Sequence, residues 1–273
     1  MSSLTTGVTH SNSYVRRAAI LAGIGGFLFG YDTGVIGGAL PLIASDFDWD
    51  TPFLKGVITS SLLLGAAVGA FLAGRLSDRL GRKRLILLTA ATFVVGILGA
   101  SLAPEAVTLV AFRVIIGLGV GSASVVVPLY IGEIAPPDIR GALVSLNQLA
   151  ITIGILSSQL IAYFLTTTGQ WRLMVALAAI PSLILGLGML RQPESPAWLV
   201  EQHREDEARE ILGRVRERPE DVDAEIDKVQ DVARQRQGVN ALFGSGVRPA
   251  LIIGLGLAVI QQITGINLSL IHI

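Results

Sequence analysis

The sequence predicts an all-α membrane protein, and three observations carry that reading. Hydrophobic residues make up 51% of the 273-residue chain and charged residues only 15%, with a mean hydropathy of +0.63. That balance lies outside the range of ordinary soluble domains. Apolar stretches recur at close to the ~20 residues that a helix needs to cross the hydrocarbon core. The charges, finally, are segregated into the segments between those stretches. Net charge is formally zero, so nothing global points to nucleic acid or an acidic partner. The lack of cysteine removes disulfides, thiolate catalysis and Cys-based metal sites.

In chain order, residues 1–16 read as a Ser/Thr-rich tail ending in a basic pair, Arg16 and Arg17. The apolar run that follows exceeds the ~7–15 residues of a signal-peptide core and is expected to be a retained first span. Spans are expected at about 17–41, 53–74, 85–103, 107–129, 142–165 and 171–190, with a further one beginning after Pro249. Asp46, Asp48 and Asp50 lie between the first two spans, whereas Arg75, Arg79, Arg82, Lys83 and Arg84 lie between the second and third. The positive-inside rule then places that second connection, and the N-terminus with it, in the cytoplasm. Residues 191–247 form the one soluble-looking stretch. Ala208, Ile211, Leu212 and Val215 keep helical spacing there, as do Val222, Ile226, Val229 and Ala233 after Pro219. Ser195 before Pro196 reads as an N-cap with proline at the first helical position.

Within the spans, small residues recur four apart, at Ser61, Gly65, Gly69 and Ala73 and at Gly117 and Gly121. Such faces let helix backbones approach closely in lipid. No G-x-G-x-x-G follows a strand pattern and the histidines lack metal-like spacing, so no cofactor and no metal are expected. With no nucleophile and base, metal cluster or phosphate loop, an enzyme is the least supported class.

Two charges interrupt the apolar runs, Asp32 in the first and Arg113 in the fourth. Each costs about 2.5–3.5 kcal/mol at the bilayer centre, so both should face the bundle interior and pair with one another. A protonatable carboxylate beside a permanent cation is the minimum equipment for coupling proton movement to another process.

Four strings add specificity: GRLSDRLGRKR (Gly74 to Arg84), PLYIGEIAPPDIRG with Glu133 and Arg140, PESPAWL (Pro193 to Leu199) and QQITGIN (Gln261 to Asn267). In this order and spacing they resemble the sugar porter family of the major facilitator superfamily, over about residues 15–267. The resemblance implies twelve helices in two halves, each built of inverted three-helix repeats, with substrate near the midplane between them. The chain is then similar to the N-terminal half (17–190), the cytoplasmic helical linker (191–247) and the start of the second half (248–267). By position, Asp32 matches the residue kept acidic in proton-coupled members, and Arg113 its partner. Gln148, Gln261, Gln262 and Asn267 match sugar-contacting positions. Asp78, Arg82, Glu133 and Arg140 match a cytoplasmic network that holds the halves together when the transporter faces outward.

Amides both donate and accept hydrogen bonds, which suits a neutral polyhydroxylated ligand; the alternative is that they tie helices together. The expected partners are a monosaccharide or polyol, a proton, the lipid of the plasma membrane and the missing C-terminal half. A uniporter in which Asp32 is structural, and a non-transporting sugar sensor, are the competing readings. Ala197 stands where the family usually carries arginine. The terminal Leu268 to Ile273 departs from the family pattern and is what a transposase end sequence used in preparing sequencing libraries encodes, so 268–273 is expected to be a non-native tail and the reading frame a truncated copy.

Overall fold

The computed structural model describes residues 8–216 and 219–235, with positions 252, 253, 256 and 260 besides. Its elements are all helical: α1 (Val8–Asp46), α2 (Pro52–Leu80), α3 (Arg82–Ser101), α4 (Ala106–Ile134), α5 (Pro137–Thr166), α6 (Trp171–Ala176), α7 (Ala179–Leu190), α8 (Pro196–Glu201), α9 (Glu205–Val215) and α10 (Pro219–Gln235). Among the described residues, six helical stretches are long and apolar enough to cross a membrane. Leu63, Leu64, Phe71, Val95, Phe164, Ile184 and Leu187 are exposed on their outer faces. Such faces would be a liability in water and are suited to lipid.

Several helices run past the apolar windows that announce them. α2 continues through GRLSDRL to Leu80, leaving Gly81 as the one non-helical residue before α3. Gly81 adopts φ 92°, a conformation that suits glycine because it lacks a Cβ. α1 likewise starts at Val8, ahead of the expected 17, since helix propagation costs little once a long span is nucleated. The sixth span, expected as one helix over 171–190, is instead broken at Leu177 and Ala178 into α6 and α7. Pro181 supplies the reason. It has no N–H for the Leu177 carbonyl and its ring crowds that carbonyl, which accepts instead from Ile180 N at 3.2 Å.

Packing follows the small residues. α2 lies against α4, and an added Cβ would stand 2.1 Å from the Val114 carbonyl oxygen at Gly65 and 1.9 Å from that of Ala66 at Gly121. α1 lies against α5 in the same way, where a Cβ on Gly30 would meet the Ile151 carbonyl at 1.9 Å. Exchanging the first three spans with the last three turns one of these pairings into the other, as inverted three-helix repeats require. Around them runs one core that includes Leu28, Tyr31, Ile58, Phe93, Ile116 and Met174.

A second, smaller core lies in the linker. Trp198, Leu199 and Val200 of α8 pack with Ala208 and Leu212 of α9 and with Val222 and Ile226 of α10. Ser195 caps α8 by accepting from Trp198 N at 3.3 Å.

Candidate functional site

Asp32 lies on α1 midway between Gly30 and Gly34, the two glycines pressed against α5. Residues two apart on a helix point to nearly opposite sides, so the carboxylate is turned away from α5 and towards α4. There it meets Arg113, with Oδ1 3.9 Å from Nη1 and both side chains 5% exposed or less. The guanidinium is anchored a second time, because its Nε donates to the Ile58 carbonyl of α2 at 2.9 Å. Oδ2 of Asp32 and Nη2 of Arg113 are buried with no hydrogen-bond partner. Next door, Tyr31 donates its hydroxyl to the Met174 carbonyl at 2.8 Å and ties α1 to α6.

A cavity of about 220 Å³ opens between α1, α4 and α5, bounded by Gly26, Phe29, Ser124, Pro128, Asn147 and Gln148 among others. Pro128 removes the N–H that would bond the Ser124 carbonyl within α4. Gln148 is exposed at this cavity, and its side-chain amide makes no hydrogen bond to another described residue. Gln159 behaves in the opposite way, donating to the Gly34 carbonyl at 3.3 Å and joining α5 to α1. One amide faces open space and the other ties helices together. Sequence reasoning did not single out Asn147, Ser124 or Phe29, although Phe29 and Asn147 flank Asp32 and Gln148 closely in sequence, because they become neighbours only through packing.

At the end of the bundle that carries the basic connection, Arg82 is 2% exposed and donates to Glu133 Oε1 from Nε at 3.2 Å and from Nη2 at 2.9 Å. Asp78 stands 3.8 Å away and Glu201 3.9 Å. Glu133 also accepts the Ser195 hydroxyl. The linker is fastened beside them: Glu194 Oε1 accepts Lys83 N at 2.8 Å, Trp198 Nε1 donates to the Asp78 carbonyl at 2.9 Å, and Tyr130 donates to the Pro193 carbonyl at 3.0 Å. Glu194, Ser195 and Trp198 thus make the contacts of the PESPAWL string, Ala197 notwithstanding. Glu201 and Ser195 were not among the expected network residues, because their approach depends on how α8 docks. At the opposite end, Arg172 joins Asp46 at 3.2 Å and the Ala103 carbonyl at 2.9 Å.

Of the residues singled out from sequence, the structure brings together Asp32 with Arg113, and Asp78 with Arg82 and Glu133, and sets Gln148 at the cavity. The Arg140 side chain, Gln261, Gln262, Asn267, all of the seventh span but positions 252, 253, 256 and 260, and the tail 268–273 lie outside the described residues.

The six apolar helices and their packing define a multi-pass membrane fold of the major facilitator type. The family described as sugar (and other) transporter matches residues 18–271, and the chain belongs to it. The chain is 44% identical to the D-xylose transporter of Levilactobacillus brevis, covering 91% of this chain and 55% of that protein. It is 41% identical to the galactose-proton symporter of Escherichia coli strain K12, covering 92% and 54%. Among solved structures, the proton:xylose symporter XylE bound to 6-bromo-6-deoxy-D-glucose superposes with a TM-score of 0.85 at 32% identity, over 94% of this chain and 61% of that one. XylE from E. coli in a partially occluded inward-open conformation gives 0.81 at 31% identity, over 94% and 66%. The chain therefore spans about half the length of the curated relatives it matches. These relatives and neighbours are membrane transporters, not enzymes.

Proposed function

We propose that this chain supplies one half of a proton-coupled sugar symporter working by alternating access in the plasma membrane, with its N-terminus in the cytoplasm. The observation that carries the proposal is the buried Asp32–Arg113 pair, which sits inside the bundle with one oxygen and one nitrogen unsatisfied. Buried charges normally complete their hydrogen bonds. At 3.9 Å the pair is electrostatic without being locked, an arrangement suited to a carboxylate that gains and loses a proton during a cycle.

Sugar is the proposed cargo. Gln148 presents a free amide to the cavity, and the relatives include a D-xylose transporter and a galactose-proton symporter. A cavity of about 220 Å³ is smaller than the roughly 300–1,000 Å³ of complete ligand pockets. The opposing wall is assigned to a second six-helix half, to which Gln261, Gln262 and Asn267 would contribute. Asp78, Arg82, Glu133 and Arg140 are assigned to the cytoplasmic gate, and the basic residues from Arg75 to Arg84 support the orientation.

The test is uptake of a labelled sugar panel by the complete transporter in a transporter-deficient host, with and without an uncoupler. Accumulation that collapses with the uncoupler supports symport. Uptake that equilibrates and ignores the uncoupler would mean a uniporter, with Asp32 structural.

A further inference from the structure

A second cavity, of about 200 Å³, lies on the outer face of the bundle between α3 and α7. Its walls include Leu87, Ala91 and Val94 of α3 and Ser182, Leu187 and Leu190 of α7. The Ser182 hydroxyl is engaged by the Ala90 carbonyl at 3.1 Å, so the groove offers apolar surface and no unsatisfied polar group at that point. In the membrane this face meets lipid, and the groove would seat an acyl chain.

What the groove adds to an ordinary lipid-facing surface is the chemistry of its mouth. Helical spacing carries the α3 wall from Val94 through Ala91 and Leu87 to Arg84, three residues further, and the α7 wall from Leu187 to Arg191, four further. Lys83 Nζ donates to the Leu190 carbonyl at 3.0 Å, so the two helix ends meet there. Arg84 and Arg191 are exposed, and neither side chain has an ion pair or hydrogen bond to another described residue. Glu194, whose carboxylate reaches the start of α3, uses Oε1 to accept the backbone N–H groups of Lys83 and Ser195 at 2.8 and 2.9 Å and forms no ion pair with either arginine among the described residues. Helix stability does not account for Arg84, because α3 begins with three basic residues and no acidic residue in its first turn, where the dipole favours the reverse. Arg191, the C-cap of α7, sits where the dipole favours a cation. From Val94 to Arg84 the groove runs ~15 Å at 1.5 Å per residue, the depth of one leaflet of a ~30 Å core.

We propose that the α3–α7 groove binds an anionic glycerophospholipid, with one acyl chain between the helices and the phosphate between Arg84, Arg191 and Lys83. The site is independent of the sugar reading and would stand if that reading failed. Native mass spectrometry of the purified 273-residue chain in detergent, titrated with phosphatidylglycerol or phosphatidylcholine, tests it. Phosphatidylglycerol should be retained at roughly 30- to 150-fold lower concentration than phosphatidylcholine, given the contribution expected of two or three basic residues at a membrane surface. The Arg84→Gln/Arg191→Gln variant should lose that preference and keep its phosphatidylcholine binding. Ala91→Phe, which fills the groove, should reduce adducts of both lipids with helix content by circular dichroism unchanged. Equal retention of the two lipids by the unaltered chain, an intact preference in the double variant, or undiminished adducts in Ala91→Phe would overturn the proposal.

Discussion

Arg113 donates from Nε to the carbonyl of Ile58 at 2.9 Å, so the guanidinium facing Asp32 is fixed to α2 as well as to its own helix. α2 and α4 are in turn pressed together at Gly65 and Gly121, where neither backbone has room to give. The cation is therefore held by both members of the α2–α4 pair. Asp32 rides on α1, which packs mainly against α5, so the ion pair bridges the two helix pairs.

That rigidity gives a stability prediction. Gly121→Leu would drive a side chain into the Ala66 carbonyl, 1.9 Å from where its Cβ must sit. The expected loss is at least the ~1–3 kcal/mol of ordinary overpacking, read as a lower melting temperature in detergent. Gly74→Leu serves as the control, since a Cβ there meets nothing within 4 Å. Equal melting of the two variants would show that the α2–α4 approach is looser than described.

The cluster around Arg82 and Glu133 makes a second prediction. Glu133→Ala leaves the 2% exposed Arg82 with the Ser77 carbonyl at 3.4 Å and with carboxylates no nearer than Asp78 at 3.8 Å and Glu201 at 3.9 Å. Breaking a buried pair by removing one partner costs about 3–5 kcal/mol. Glu133→Gln keeps an acceptor for Arg82 and for Ser195 and should lose less. Melting curves, with the rate of trypsin cleavage in the linker, would show the order unaltered > Gln > Ala; indistinguishable variants would remove Arg82–Glu133 as the fastener.

For the proposed sugar site, Gln148→Ala in the complete transporter is expected to weaken sugar binding by about 1–3 kcal/mol, the cost of leaving a hydroxyl unpaired. Gln159→Ala should instead lower the melting temperature with little effect on affinity, because that amide is already committed to Gly34. Calorimetric titration on both variants checks the contrast, and a reversed pattern would exchange their roles.

The reach of the sequence can be judged residue by residue. Asp32 and Arg113 could be paired in advance because charge in an apolar run has few places to go. The faces of Gly65, Gly69, Gly117 and Gly121 were legible because in lipid small residues mark close approach. The break in the sixth span was missed although Pro181 was in view, since a window that averages hydropathy does not register one missing N–H. Hydropathy also stops at the edge of lipid, which is why the glycines of GRLSDRLGRKR suggest a tight turn from Gly74 to Gly81 although α2 stays helical through Asp78 to Leu80 and only Gly81 turns. Ser195 and Glu201 reach Glu133 and Arg82 only after α8 folds back onto the bundle. That contact is tertiary, and no local pattern encodes it. Gln148 and Gln159 look alike in sequence; the rotation of α5 against α1 separates them.

The central claim is that Asp32 is the group through which proton movement drives sugar movement. The direct measurement compares uphill accumulation with sugar counterflow in the complete transporter carrying Asp32→Asn. The amide cannot carry the proton but leaves the Gln148 cavity in place, so accumulation should fall to the equilibrium level while counterflow persists. Retained accumulation in Asp32→Asn, still abolished by an uncoupler, would contradict the account.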